Sequence, residues 1–464
     1  MYFTFIAIYL LILVLFAFYK KKDITSSDDF SVAGRRLPFY ILITTLLAGW
    51  IGSGTLIAGA EFTYRAGLAG LWMPAGAWFG IFLMYFISKK IRRTELYTAP
   101  DILGHFYNDI ARVLGSITII IAYTAIVAYQ FRAGGIILEL VTNMPYERGI
   151  LLTAIFVITY TSVAGMISVA YIDIINGWLI IISSIISLIV LIISGGGLSN
   201  VILQIQESDP QKLTMLGHIS FIEALGYFIP TLALLLGEAS MYQKFFSAKN
   251  EWHAKMATMG WIIGTIIVES VFVFIALIAS SMFTLEELNF RPESIILYTA
   301  KHALPLILGG ILLAGGVAII LSTADSFLLA PATSFVKDIY QQFFRKNAKQ
   351  HELIVVSRLA IIVLGVFAYV QISFFKSVLS MAMYAYTMYG ASLTPAILAA
   401  LLMKRVSPFA ATLSIIVGML VTIVFECYTT LTGTKILGLP TVIPALFLSV
   451  STLLILNMLI RKKI

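Results

Sequence analysis

The sequence predicts an all-α polytopic membrane protein with 13 transmembrane helices. Three observations lead to this class. The chain of 464 residues is 60% hydrophobic and only 12% charged, where a soluble domain is about 45–50% apolar and about 25% charged. Apolar runs near the length that crosses hydrocarbon, about 20 residues, recur from one end of the chain to the other. Lysine and arginine gather in alternate connections, the asymmetry that sets membrane topology.

The first run, 2–20, is followed by Lys20-Lys21-Lys22. A secretory signal carries its charges before the apolar stretch and a small-residue cleavage site after it. The order here is reversed, which predicts a retained helix with its N-terminus outside. Spans follow at 38–60, 68–88, 111–140, 149–166 and 169–195. A polar outer loop at 196–220 contains Ser208-Asp209-Pro210. The remaining spans are 221–242, 257–283, 303–335, 354–373, 377–402, 408–428 and 440–460. This count puts Lys20–Arg36, Lys89–Arg112, Lys244–Lys255, Lys337–Arg358, Lys404-Arg405 and Arg461–Lys463 on the inner side with the C-terminus. Arg65, Arg148, Lys212, Arg291, Lys301 and Lys435 fall outside, and Arg132 and Lys376 lie near outer helix ends. An even number of spans would put one terminal basic cluster on the wrong face. A multi-pass protein of the plasma (inner) membrane follows. Its outer loops are short, so any function sits inside the bundle.

A weak symmetry divides the chain. The second span is interrupted by Gly49, Gly52 and Gly54, and the seventh carries Pro230 and then Gly237-Glu238. Broken spans at matching positions of two five-helix halves mark a midplane binding site between inverted repeats. Residues 1–37 are then an extra helix with the first inner loop, 38–195 one repeat and 196–220 the outer loop. Residues 221–402 form the second repeat and 403–464 two further helices.

Several function classes are excluded. The net charge of +8 is explained by topology rather than by nucleic acid, and Cys427 alone rules out an internal disulfide or a multi-cysteine metal site. The five histidines form no pair at helical ligand spacing. No phosphate-binding GxxxxGK[ST] loop, HExxH pair or GxSxG elbow is present, so neither ATP-driven transport nor intramembrane hydrolysis is indicated. No obligate protein partner is evident; the partners expected are a small organic solute and the lipid bilayer.

The candidate chemistry lies in polar groups that hydrocarbon does not tolerate. Ser322, Thr323, Asp325 and Ser326 cluster in the middle of the ninth span. An ionisable residue there costs roughly 2.5–3.5 kcal/mol on insertion scales, so the cluster lines a path or an ion site. Hard cations prefer such oxygen ligands. Three glycines within Gly49–Gly54 either free backbone carbonyls for a cation or allow close helix packing. Asp173 follows an inner turn at Gly165 and is either a functional acid or a solvated residue at a helix start. Glu238, beside the second break, is assigned to the substrate. Either Glu238 or Glu269 is a proton relay, a substrate counter-ion or a structural partner of Arg132 or a tyrosine, and for Glu269 the structural reading is preferred. Trp50 and Tyr386 complete the substrate assignment, and Asp325 is a possible coupling residue.

Four segments together resemble the solute:sodium symporter family over about residues 1–460. They are Gly34-Arg-Arg-Leu with Ala48-Gly-Trp-Ile-Gly-Ser-Gly and Tyr64-Arg-Ala-Gly-Leu-Ala-Gly-Leu; Ser168-Val-Ala-Tyr-Ile-Asp173; Tyr242-Gln-Lys-Phe-Phe-Ser-Ala-Lys249; and Leu321-Ser-Thr-Ala-Asp-Ser-Phe to Lys337-Asp-Ile-Tyr340. The resemblance implies a LeuT-type 5+5 inverted-repeat core, alternating access and Na⁺-driven uptake of a small organic solute. It implies a Na⁺ site formed by the carbonyls of Ala48, Ile51 and Ile319 and the hydroxyls of Ser322 and Thr323. A second Na⁺ at Asp173 and Thr323 is implied by some members. Glu61, SVAYIDI and STADSF are most similar to the choline-transporter branch. Glu238, and a small residue near Ala77, stand where that branch has aromatic cage positions, which implies a different pocket suited to a hydrogen-bonding or primary ammonium group. The proline branch has an aspartate where Trp50 stands, so the resemblance does not imply proline either. Two alternatives remain: an H⁺-coupled carrier of the same fold, with Asp173 or Asp325 as the proton site, and a solute sensor without transport.

Overall fold

A computed structural model describes residues 2–20, 26–375 and 377–461. Lys21, Lys22, Lys376, Lys462 and Lys463, which entered the charge count, lie outside the described residues. Those residues form helices, with one isolated bridge between Leu37 and Ala248 and no strand. The main helices are α1 (Tyr2–Lys20), α2 (Phe39–Trp50), α3 (Ala60–Ala66), α4 (Trp72–Arg93), α5 (Asp109–Thr142), α6 (Tyr146–Ser194), α7 (Phe221–Gly237), α8 (Ala239–Phe246) and α9 (Glu251–Met282). They continue with α10 (Leu306–Ser334), α11 (Gln350–Gln371), α12 (Val378–Ser392), α13 (Thr394–Leu402), α14 (Pro408–Thr432) and α15 (Val442–Arg461).

Ten helical segments among the described residues are long and apolar enough to cross a membrane. The predicted spans 2–20 and 38–60 fall on shorter apolar helices, Tyr2–Phe16 and Phe39–Trp50. The predicted spans 149–166 and 169–195 lie on α6, which bends at Gly165 with φ +65° and ψ 170°. Only glycine adopts that backbone without a steric penalty.

Burial sorts centre from rim. Of the apolar 18-residue stretch within each span, 89% is buried in Val378–Leu402 and 72% in Leu306–Phe344, but 22% in Val442–Ile460. Helix α10 packs on α5, α6 and α2, while α7 packs on α4 and α12. Small residues permit the closest of these contacts: a Cβ on Gly76 would lie 2.2 Å from the Phe228 carbonyl oxygen. Such contact is how helices gain packing energy in lipid.

The predicted outer loop is largely ordered. Leu198–Ser208 is a helix whose buried Val201 and Ile205 pack with Leu277 and Ile278. That buries an apolar face and leaves the polar residues outward. Lys244, counted above with the inner loops, is fully buried in α8. Its ammonium donates to the Thr45 carbonyl at 2.7 Å, so a helix carbonyl rather than water solvates it.

Candidate functional site

Both predicted breaks are present. Helix α2 ends at Trp50; Ile51 is extended (φ −68°, ψ 93°), and a π-helical turn at Gly54–Gly59 resumes the path into α3. Helix α7 ends at Gly237, Glu238 is extended (φ −61°, ψ 112°), and α8 begins at Ala239. Ending a helix orphans its last carbonyls. At the first break the Leu47 carbonyl is taken by the Ile51 N–H, and Ala48 belongs to the same final turn.

The first break lies against α10. The Thr323 hydroxyl donates to the Ile51 carbonyl at 3.3 Å, and Ile319 sits one helical turn earlier on α10. Two oxygens this far apart can share a cation with oxygen distances of about 2.3–2.6 Å, as hard cations of calcium's size have. Gly52 makes the approach possible, since a Cβ there would lie 2.8 Å from Thr323. The Oγ of Ser326, Oγ of Ser53 and Nε2 of Gln130 are buried here without a hydrogen-bond partner among the described residues. Orphaned polar atoms around a cluster of oxygens fit a hydrated or ion-binding site. Of the five oxygen-bearing positions predicted, Ile51 and Thr323 meet directly and Ala48, Ile319 and Ser322 flank them.

Asp173 is 1% exposed, so it is not a solvated interfacial residue. It accepts from the hydroxyls of Thr45 on α2 and Ser322 on α10, both at 2.5 Å. It therefore ties the first half of the broken helix to α10 beside the Thr323 contact. Asp325 is buried on α10, one turn from Ser322, and accepts from Thr161 on the first arm of α6.

The substrate assignments separate. Trp50 and Tyr386 line a small cavity at the first break, together with Thr55, Met73, Thr231 and Glu269. The cavity is narrow, about 20 Å³, room for about one water. Glu238 does not line it. Its carboxylate is consumed as the N-cap of α8, accepting from Ser240 N and Met241 N at 3.1 and 3.0 Å and from the Tyr123 hydroxyl at 2.7 Å. An acid at a helix N-terminus satisfies orphan donors and the helix dipole.

The acid at the cavity is Glu269, read from sequence as structural. It accepts from the indoles of Trp50 and Trp78 at 3.1 and 2.7 Å and from Thr55 at 3.2 Å. Arg132 is not its partner, nor that of Glu238. Its guanidinium donates to the Ile372 and Phe375 carbonyls, where the turn after α11 leaves acceptors free. The tyrosine alternative holds for Glu238, through Tyr123, and not for Glu269. No local signal distinguished the two acids, because the partners of Glu269 come from the first break and from α4.

A broken helix packed on a hydroxyl-bearing helix, with polar groups converging at mid-bundle, defines a polytopic carrier of the secondary-transporter class. The chain belongs to the sodium:solute symporter family, whose profile matches residues 30–418. It is similar to the osmoregulated proline transporter OpuE of Bacillus subtilis, 26% identical over 98% of this chain and 94% of that one. It is similar to the sodium/proline symporter of Staphylococcus aureus, 27% identical over 98% and 92%. Its fold matches that of a Na⁺-coupled sialic acid symporter solved in a substrate-bound outward-open state, with a TM-score of 0.82 at 17% identity, covering 99% and 98% of the two chains. It also matches Mhp1, a nucleobase-cation-symport-1 family transporter in a closed conformation, with a TM-score of 0.60 at 12% identity, covering 91% and 93%. The fold is the LeuT type expected, and the protein is a multi-pass membrane symporter with Na⁺ as its coupling ion.

Proposed function

We propose that this chain imports a small organic solute by alternating access, driven by Na⁺ bound between the first break and α10. The observation that carries the reading is the 3.3 Å approach of Thr323 Oγ1 to the Ile51 carbonyl across that break. Na⁺ held by Ala48, Ile51, Ile319, Ser322 and Thr323 would lock the two elements together. Asp173, with Thr323, would hold a second ion. A ligand shifts a conformational equilibrium only through its differential affinity for the two states, and a cation bridging two elements supplies it wherever they part during the cycle. The thirteen-span count, N-terminus outside and C-terminus cytoplasmic, and the repeats 38–195 and 221–402 belong to the same reading. So do placement in the inner membrane and the absence of enzymatic chemistry. The relatives' names point to proline as the first solute to try, ahead of choline.

The test is uptake into proteoliposomes under an imposed Na⁺ gradient, with a K⁺ gradient as control, for L-proline and a wider solute panel. Uptake that follows Na⁺ supports the reading; uptake equal in K⁺ opposes it. Asp325 favours a second reading, H⁺ coupling, because it is buried and makes no ion pair within 4 Å among the described residues. Uptake driven by a pH gradient in Na⁺-free buffer would favour it.

A further inference from the structure

We infer that Glu269 is the substrate-charge selector of the cavity and that the solute carries a protonated primary or secondary amine. The inference deepens the transport reading above and rests on it for the solute's route, but not for the chemistry of recognition.

Glu269 is 3% exposed and is the one charged side chain among the described residues lining the cavity. Other acids have an ion pair or cap a helix, Glu61 through one oxygen only. Glu61 pairs with Arg65 at 3.3 Å, Glu139 pairs with Arg291, and Glu238 caps α8. Glu269 makes no ion pair among the described residues; its three partners are neutral. A buried carboxylate without a cation is costly, and it persists where a cationic partner arrives with function.

The donor geometry accommodates an ionised carboxylate. An indole N–H only donates, and the two indoles take one oxygen each: Trp50 on Oε1 and Trp78 on Oε2. A neutral acid keeps the same contacts only by giving its proton to the Thr55 hydroxyl, and an ammonium arriving at the carboxyl would favour the ionised form. The carboxylate offers about four acceptor positions, and three are filled, which leaves capacity for one N–H of a ligand. Trp50 and Tyr386 supply aromatic surface against which an ammonium is further stabilised. A quaternary ammonium has no N–H to give and would forgo that bond. The two rigid indoles hold the carboxylate in place, so little ordering remains to be done on binding.

The test is thermal stabilisation of the purified full-length protein in Na⁺, and separately in K⁺, with tryptophan emission as a second readout because Trp50 and Trp78 bond to Glu269. The probes are matched pairs: L-proline with tetrahydrofuran-2-carboxylic acid, ethanolamine with ethylene glycol, and choline as the cation without N–H. Ammonium-bearing members should bind and their oxygen isosteres should not. Glu269→Gln should weaken those binders roughly 100-fold while keeping the Na⁺-induced shift that reports its folding. Three results would overturn the inference: isosteres that bind as well as the amines, amines that bind Glu269→Gln as tightly as the parent, or no amine in the panel that binds. If Glu269→Gln does not fold, the parent's choice within each pair decides. Amine selectivity that is equal in Na⁺ and K⁺ would sink coupling and leave Glu269's assignment standing.

Discussion

At the residue scale, oxygens meet across a helix break. Thr323 contributes its hydroxyl to the Ile51 contact, so Thr323→Ala removes a proposed Na⁺ ligand while leaving a small side chain that still packs. We predict at least a roughly tenfold higher Na⁺ requirement for uptake, the scale of losing one charge-assisted contact, with Thr323→Ser close to the parent. Initial uptake rates across a Na⁺ titration check this. The two buried glutamates separate by the same logic. Glu238→Gln disturbs the α8 cap and should lower stability by roughly 0.5–2 kcal/mol without altering which solutes bind, as a paired thermal-unfolding and solute-panel measurement would show. Sequence alone did not place the two acids. Proximity in the chain favoured Glu238, beside Gly237, whereas Glu269 gains its meaning from Trp50, Thr55 and Trp78 on other elements.

At the scale of elements, the breaks depend on residues that let backbone approach backbone or side chain. A Cβ at Gly52 would meet both Thr323 Cγ2 and Oγ1 at 2.8 Å. Gly52→Ala therefore pushes the first break off α10. It should cost roughly 1–3 kcal/mol as overpacking and weaken Na⁺ dependence along with stability; thermal unfolding with and without Na⁺ reads both. The second break is held differently: the Tyr389 hydroxyl donates to the Gly237 carbonyl and Thr394 donates to that of Ala233 at 2.6 Å. Both breaks were legible from glycine and proline spacing, because unwinding is a local property of the chain. The burial of Lys244 was not legible. A lysine at the end of an apolar run reads as an interfacial charge, and only the packing of α8 against α2 supplies the carbonyl that receives it.

At the scale of the molecule, an all-helical bundle with its polar groups in the middle suits a carrier whose ion and solute share one broken helix. Hydropathy revealed the spans because lipid demands that every backbone group be satisfied within a helix. It did not reveal that Leu198–Ser208 is helical, since that helix rests on the bundle through only two buried side chains. The thirteen-span topology makes a separate prediction. In a Cys427→Ser background, a cysteine replacing Ser208 should label with an impermeant maleimide from outside in intact cells, and one replacing Lys346 only after permeabilisation. Na⁺ bound between the first break and α10 would sit next to Trp50. The most direct measurement is tryptophan emission of the purified protein titrated with Na⁺ at constant ionic strength in K⁺, for the parent and for Thr323→Ala. Na⁺ bound there should give a saturable, Na⁺-specific change that moves to much higher Na⁺ in the variant. A flat titration, a response that K⁺ reproduces, or one unchanged by the substitution would contradict it.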